Sequence, residues 1–435
     1  MASDRSPIVV WFRRDLRLDD HPALRHAAES GRPIVPLVVL DARLASSPSI
    51  GARRWERYEA AVVALDRDLR RIGGRLIVRR GDPRAVVPAF VAEVGADALY
   101  ATRDVTPYAV GRDEAIGSVT PIHLFNGGLI VEPETTGHVQ VFTPFYRRWG
   151  AIAWGEPLRA PTRLHVPDGV VSEDLPPSPP MGGPEALVRL RTFARHGSAR
   201  YESDRHRLDL DGTSGLSADL HFGTLSARRA VTKVESVAFA RQLAWRDWAH
   251  HLAWYDRNAS SIRADGTEPE VRWRTDGDGV DAWREGRTGY PTVDAAMRQL
   301  LATGTMHNRA RMIVGSFLTK DLLVDWRVGE AHFLRHLVDA DVANNRLGWR
   351  WVAGVGPDAA PFVRVLNPSL QGERFDPAGT WTRRWVPEVA HLPAATIHRP
   401  WLAASGPPDK YPAPIVDHLA ARQRALAAFA ARRGR

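Results

Sequence analysis

Between Met306 and Trp351 the chain sets polar and aromatic residues inside apolar segments that have the spacing of buried helices. The stretch MHNRARMIVGSFLTKDLLVDW is followed, after a short connection, by DADVANNRLGWRW. Asn308, Arg311 and Met312 share one face of the first helix. Asp339 and Asp341 offer Arg311 a partner of opposite charge. Polar groups in such surroundings need partners, and a large ligand rich in donors and acceptors would supply them. Taken singly, an Asp or Arg is more often a solvated surface charge. Asn345 alone reads as a turn or cap residue, and Trp349 and Trp351 as core. Their concentration in one stretch argues for a site.

Two further constellations are candidates. In FARQLAWRDWAHHLAWY (Phe239–Tyr255), Gln242, Trp245 and Arg246 share a helix face, an amide, an indole and a guanidinium that suit a flat ligand with polar edges. Trp248 and Trp254 read as packing. In DGTSGLSADLHFGTLSARR (Asp211–Arg229), Thr213, Ser214, Gly215 and Ser217 form a hydroxyl-rich turn. Ser217 or Thr213 is expected to cap a following helix, leaving backbone N–H groups for an anion. The turn is neither a Walker A loop nor a GxGxxG fingerprint, and alone it reads as a plain loop. His250-His251 resembles half a metal site with no partner at ligand spacing. No G-x-S-x-G elbow appears.

The elements that must position these residues fall into three parts. Apolar, β-rich runs at Ile8–Phe12, Ile34–Leu40, Leu76–Val78, Ala98–Ala101 and Ile122–Phe125 alternate with amphipathic segments at Pro22–Glu29, Arg53–Ile72, Arg84–Val94 and Pro107–Ile116. That alternation predicts an α/β domain over residues 1–126, a parallel, doubly wound sheet covered by helices. Asp20 is the expected N-cap of the first helix and Gly73-Gly74 the stop of the second. Residues 127–184 are broken by prolines and read as a connector, with a short helix at Val141–Trp149. From residue 185 to 435 the pattern is helical, with segments at Glu185–His196, Ser226–Lys233, Pro291–Thr303, Asn308–Asp325, Val328–Val338 and Pro414–Arg433.

Composition narrows the class. With 435 residues the chain is long enough for two or three cores. It has no cysteine, which removes disulfides, thiolate metal sites and Cys nucleophiles together. No membrane-spanning run or signal peptide is visible, so a cytoplasmic location is expected. The net charge is +9 and the positive charge is almost all Arg, which codon bias or phosphate binding would each explain; the balance favours a polyanion such as DNA over an acidic protein.

The chain resembles the class I DNA photolyases of the photolyase/cryptochrome family, continuously from VVWFRRDLRLDDHPAL (Val9–Leu24) to the last helix. The match is strongest at DGTSGLSADLHFGTLSARR, AWREGRTGYPTVDAAMRQL (Ala282–Leu300), MHNRARMIVGSFLTKDLLVDW and GWRWVAGVGPDAAPFVRVLNP (Gly348–Pro368). The resemblance implies an α/β antenna domain, a connector and an all-helical FAD-binding domain. It implies that Tyr201 and the turn Thr213, Ser214, Gly215, Leu216, Ser217 hold the flavin phosphates. Arg246 and Asn308 would line the cofactor cavity, and Arg311 would pair with Asp339 beside the flavin ring. Asp341 would meet the flavin or ribose, and Asn345 would face flavin N5. Trp349, Trp326 and Trp273 match the family's electron-conducting chain. Gln242, Trp245, Met312 and Trp351 match positions around the flipped-out lesion, and Arg309, Arg364 and Arg374 match cations near DNA phosphates. The implied reaction is light-driven splitting of cyclobutane pyrimidine dimers (CPDs) in UV-damaged DNA by excited reduced FAD, with the protein supplying orientation and a dry cavity. A monomer is expected.

Two departures bear on this expectation. Gln242 stands where CPD photolyases carry a lesion-facing Glu; it keeps a donor and an acceptor but cannot supply a proton. Gln here also occurs in (6-4) photolyases, but that branch uses two His where this chain has Asn308 and Met312. A cryptochrome-like photoreceptor with weak or no repair is the other alternative, weakened because no extension follows the helical domain. In the antenna segment YATRDVTPYAVGRD (Tyr100–Asp113), Tyr108 and Ala109 replace the Asn-Glu pair of methenyltetrahydrofolate-binding relatives. A deazaflavin-type antenna is therefore expected in preference.

Overall fold

The computed structural model describes residues 6–256, 271–274, 279–358, 363–404, 406 and 408–433. The chain forms two compact units, Met1–Ala199 with Ser214–Arg257, and Arg200–Thr213 with Asn258–Arg435. Among the described residues no helix is long and apolar enough to cross a membrane.

The first unit is built on the expected sheet. β1 (Ile8–Phe12), β2 (Ile34–Leu40), β3 (Ile77–Arg80), β4 (Ala98–Thr102) and β5 (Ile122–Phe125) are all parallel, in the order β3-β2-β1-β4-β5. Every residue of β1 and β2 is buried. Ile8, Val10 and Phe12 pack on one face, with Leu24 and Ala27 of α1 (Pro22–Glu29) and Ala61, Leu65 and Leu69 of α2 (Ala52–Arg70). Val9 and Trp11 pack on the other, with Val87 and Phe90 of α3 (Pro83–Glu93) and Ile116 of α4 (Pro107–Gly117). Burial on both faces is why these strands read as unbroken apolar runs. Each fully buried aliphatic or Phe contributes roughly 1.5–3 kcal/mol. Gly73 at φ +81° follows the end of α2, where a stop was expected. The same unit holds α5 (Phe142–Gly150) of the connector, α6 (Ala227–Lys233) and α7 (Val237–Tyr255).

Local chemistry differs from expectation at two places in this unit. Asp20 does not cap α1; His21 does, its Nδ1 accepting from Leu24 N at 3.1 Å. Asp20 stands at φ +51°, outside the extended range of an N-cap. Its carboxylate instead accepts from Leu158 N at 2.9 Å, from Arg228 Nε at 3.1 Å and from the Ser226 hydroxyl. The hydroxyl-rich turn enters a helix at Ser217–Phe222 with Leu216 in the cap position and no side-chain cap bond, so neither Ser217 nor Thr213 caps it.

The second unit is helical around one large core, to which α8 (Pro291–Thr303), α9 (Asn308–Ser316), α10 (Trp326–His336) and α11 (Val342–Ala353) contribute. The helix expected over Asn308–Asp325 is shorter: α9 widens into a π-helical turn at Phe317–Asp321, and Leu323 takes φ +56°. Buried charge accounts for the break. Lys320 Nζ donates to Ala353 O at 2.5 Å, at the C-terminal end of α11, and lies 3.6 Å from the Phe429 ring centroid. Asp321 pairs with His418 at 2.5 Å. Phe429 and His418 belong to α12 (His418–Arg433), so the widened turn anchors the last helix. The second half of a buried helix thus turns two charges inward, which an apolar periodicity does not reveal.

Burial raises the Asp20 pKa, but the bonds from Arg228, Ser226 and Leu158 lower it more, leaving it below the ordinary value of 3.8. Its stabilisation is therefore present at neutral pH and is lost as pH falls through that lowered value. Asp20→Asn is expected to cost roughly 1–3 kcal/mol at pH 7 in urea denaturation. The gap from wild type should close in strong acid; a gap independent of pH would contradict the ionic account.

Candidate functional site

In the first unit the candidate residues ride on α7. Ser236 caps it, accepting from Phe239 N at 3.3 Å, and Gln242, Trp245 and Arg246 are half-buried. The Trp245 ring stacks on Phe142 of α5 at 3.9 Å between centroids and 14° between planes, and meets Trp248 edge-on at 5.1 Å. Trp248 is core, as expected, and its Nε1 donates to Val139 O at 2.7 Å.

Asp247, fully buried, organises this region. Its Oδ2 accepts from Ile130 N at 3.0 Å, Val131 N at 3.1 Å and Trp149 Nε1 at 3.0 Å, while Oδ1 faces Arg246 Nη1 at 3.3 Å. Arg246 Nη2 also donates to Gly128 O at 3.0 Å, so the guanidinium is held in one orientation. The sequence pattern offered only one signal for Asp247, an acid between aromatics in WRDW. His251 lies between Val131 O at 2.7 Å and Thr136 Oγ1 at 2.9 Å, and His250 Nδ1 is 2.9 Å from Arg246 O. The His251 ring secures the connector to α7, whereas the His250 bond lies within α7. Glu132 lies in the same cluster: burial foremost pushes its pKa up, Arg103 at 3.6 Å opposes and the Asp247 charge adds, bringing it to about 7.

The hydroxyl-rich turn places Gly215 at φ +63° and Leu216 N 3.4 Å from Ser214 Oγ. Leu216 is fully buried, Ser217 is exposed and Thr213 half-buried. At the carboxyl ends of β1 and β4, the Arg13 guanidinium donates to Asp113 at 2.6 and 2.7 Å and to Thr102 O, and both Arg13 and Arg112 lie 4.8 Å from the Trp11 centroid. Tyr108 is exposed there and Ala109 buried.

In the second unit, Arg311 donates to Asp339 at 2.8 and 3.0 Å and to Met306 O at 2.9 Å, the expected pairing. Asp341 caps α11, accepting from Asn344 N at 3.0 Å. Asn345 Nδ2 donates to Glu330 O at 3.0 Å, which leaves the amide oxygen as an acceptor. Asn308 is exposed and Met312 half-buried. Trp349 is buried between Phe333 (4.9 Å) and Trp283 (6.2 Å), both edge-on. A Cβ at Gly329 would come within 2.1 Å of its ring, so α10 needs glycine there. Trp349 Nε1 is buried with no hydrogen-bond partner among the described residues. Trp326 is buried in the same core, and Trp273 packs against that core and meets Phe429 at 6.1 Å. Trp351 is half-buried, with the Arg364 guanidinium 5.9 Å from its centroid.

A cationic cluster gathers near Tyr201, which is buried under Arg205 at 5.5 Å. Arg309 lies 4.4 Å from the Phe375 centroid and Arg374 5.2 Å, and Arg309 Nη2 is 3.0 Å from His206 Nδ1. Burial first, then the neighbouring arginines, push His206 and His307 down to about 4. Burial with repulsion from Arg374 and Arg205 lowers Arg309 as well. Like charges are thus held together, an arrangement that an anion stabilises. Arg205 and His206 were not singled out by the sequence pattern; an Arg-His-Arg run after Tyr201 was the available signal.

These groups suit a flavin dinucleotide: cations for phosphates, and a fixed ion pair and an amide acceptor for the edge of a ring. A family model described as the FAD-binding domain of DNA photolyase matches residues 239–431, and a DNA photolyase model matches residues 8–162. The deoxyribodipyrimidine photo-lyase of Streptomyces griseus is 43% identical, covering 96% of this chain and 98% of that protein. A bacterial class III photolyase from Agrobacterium tumefaciens superposes with a TM-score of 0.91 at 36% identity, over 100% of this chain and 99% of that one. An archaeal photolyase from Sulfolobus tokodaii, solved with two FAD molecules, gives 0.87 at 32% identity over 98% and 100%.

Because the Glu132 pKa is raised from 4.5 to about 7, the folded state holds its proton longer than the unfolded chain. Stability should therefore fall as pH rises from 4.5 to about 7 through this group. Glu132→Gln should flatten that part of the melting temperature–pH curve. An unchanged slope would show that Glu132 is ionised throughout.

Proposed function

The chain belongs to the DNA photolyase family, and from that premise we propose that it repairs cyclobutane pyrimidine dimers in DNA with reduced FAD and light. The observation that carries the reading is α11, on which Asp341, Asn345 and Trp349 recur every four residues and so share one stripe. An N-cap carboxylate and an amide oxygen kept as acceptor suit the edge of a reduced flavin, and the buried Trp349 ring lies on the same stripe. When bound, reduced FAD supplies a light-excited one-electron donor, and because the electron returns after the two cyclobutane C–C bonds break, the reaction is redox-neutral.

The chain's own residues have separate tasks in this proposal. Tyr201 and Thr213–Ser217 hold the phosphates, with Arg205 and His206 added to that region. Arg246 is held by Asp247 for the cofactor, which Asn308 also lines, and Arg311 with Asp339 flanks the ring. Trp273, Trp326 and Trp349 carry electrons inward to regenerate the reduced cofactor. Trp245, backed by Phe142, and Trp351 are walls for the flipped-out dimer, with Met312 against it. Gln242 hydrogen-bonds the dimer without moving a proton. Arg309, Arg364 and Arg374 contact phosphates and read no sequence. For the antenna we propose a deazaflavin-type chromophore, since Tyr108 and Ala109 replace the Asn-Glu pair.

Gln242 also favours a second reading, a photoreceptor with weak repair or a (6-4) enzyme. Illumination of the reduced protein with oligonucleotides carrying either lesion separates the three. The proposal expects splitting of the CPD and none of the (6-4) photoproduct; no splitting of either would favour the photoreceptor. Gln242→Glu should preserve or raise CPD repair, and a fall of about tenfold (1.4 kcal/mol) would show an amide tuned to another substrate. Trp349→Phe should abolish photoreduction of oxidised FAD, followed by absorbance, and leave repair by pre-reduced protein largely intact. Unchanged photoreduction would refute the electron path.

A further inference from the structure

We propose that Arg241 clamps a DNA backbone phosphate beside the extruded lesion, its guanidinium held ready by the rings of Phe142 and Tyr146. The inference rests on the DNA-repair reading and deepens it. Arg241 lies immediately before Gln242 and one helical turn before Trp245, on the same side of α7 as that lesion wall. It is exposed. Its guanidinium carbon is 5.4 Å from the Phe142 centroid and 5.5 Å from that of Tyr146. Among the described residues it has no carboxylate partner. Arginines elsewhere in this unit, such as Arg13, Arg67, Arg189 and Arg229, are committed to Asp113, Glu185, Asp219 and Asp19.

The rings do two things at once. Phe142 and Tyr146 lie one turn apart on α5 with planes 18° apart, a continuous apolar floor under the guanidinium. Phe142 also carries the Trp245 stack. The lesion wall and the cation therefore share one support, so a phosphate gripped by Arg241 stands at a fixed offset from a base held against Trp245. A guanidinium lying over rings keeps its N–H groups at the edge, where a phosphate can take two of them. The surroundings favour an anion: α5 has no acidic residue and carries Arg147 and Arg148, and α7 has none before Asp247.

The test is binding of CPD-containing and undamaged duplexes by wild type, Arg241→Ala, Arg241→Lys and Phe142→Leu over a range of salt, with repair per bound complex measured beside it. Loss of one phosphate contact should reduce the slope of log K against log salt by about 0.9. Arg241→Ala should therefore weaken the CPD duplex more than the undamaged one and lower the slope for the damaged duplex. Arg241→Lys should restore the slope and only part of the affinity. Phe142→Leu should weaken binding and also lower repair per bound complex, because Trp245 loses its backing. If Arg241→Ala leaves affinity and slope unaltered while wild type repairs the duplex, the clamp is wrong and the repair reading stands. If wild type neither prefers the damaged duplex nor repairs it, both fall together.

Discussion

The carboxylate of Asp247 is the constraint on which the candidate residues of the first unit depend. A charge with no solvent contact is tolerable only when its lone pairs are filled. Here two backbone N–H groups of the connector, the Trp149 indole and Arg246 fill them. The same bonds fix the connector against α7 and aim Arg246. Removing any donor would leave a buried charge short of partners, so the arrangement behaves as a unit. His251 and Thr136 reinforce it from the next turn. The Phe142–Trp245 stack follows from it, because α5 is placed by the same connector.

The second unit solves a different problem. It keeps a tryptophan buried and tightly packed. Steric contact does this: Gly329 lets α10 approach the Trp349 ring, and Phe333 and Trp283 close on it edge-on. Lys320 then caps the C-terminal end of the helix that bears Trp349, where a cation complements the helix dipole. Under the proposed function this rigidity would serve electron transfer and ring placement, with no acid–base residue having to move.

Much of this was legible in the sequence. The five strands and their covering helices followed from apolar runs, because a sheet buried on both faces leaves no polar alternation to misread. Opposite charges set among apolar residues offered Arg311 either Asp339 or Asp341, the family resemblance implied Asp339, and Asp339 is the partner observed. Asp20, Lys320 and Asp321 were not legible in their actual roles. Their roles depend on a left-handed backbone at Asp20 and on a π turn, with partners 208 residues away for Asp20, 97 for Asp321 and 33 for Lys320. Asp247 and Phe142 were missed for the same reason: each earns its place through tertiary contacts that local spacing does not encode. Gln242 was legible as a departure, and its effect on chemistry is a property of the substrate bound against it.

The central claim is tested most directly by loading the purified protein with FAD, reducing it, and counting cyclobutane dimers in UV-irradiated oligo(dT) in light and in the dark. The account predicts that dimers disappear in light, remain in the dark, and that one flavin serves many turnovers without net oxidation. Intact dimers in light, with reduced FAD shown by absorbance to be bound, would contradict it.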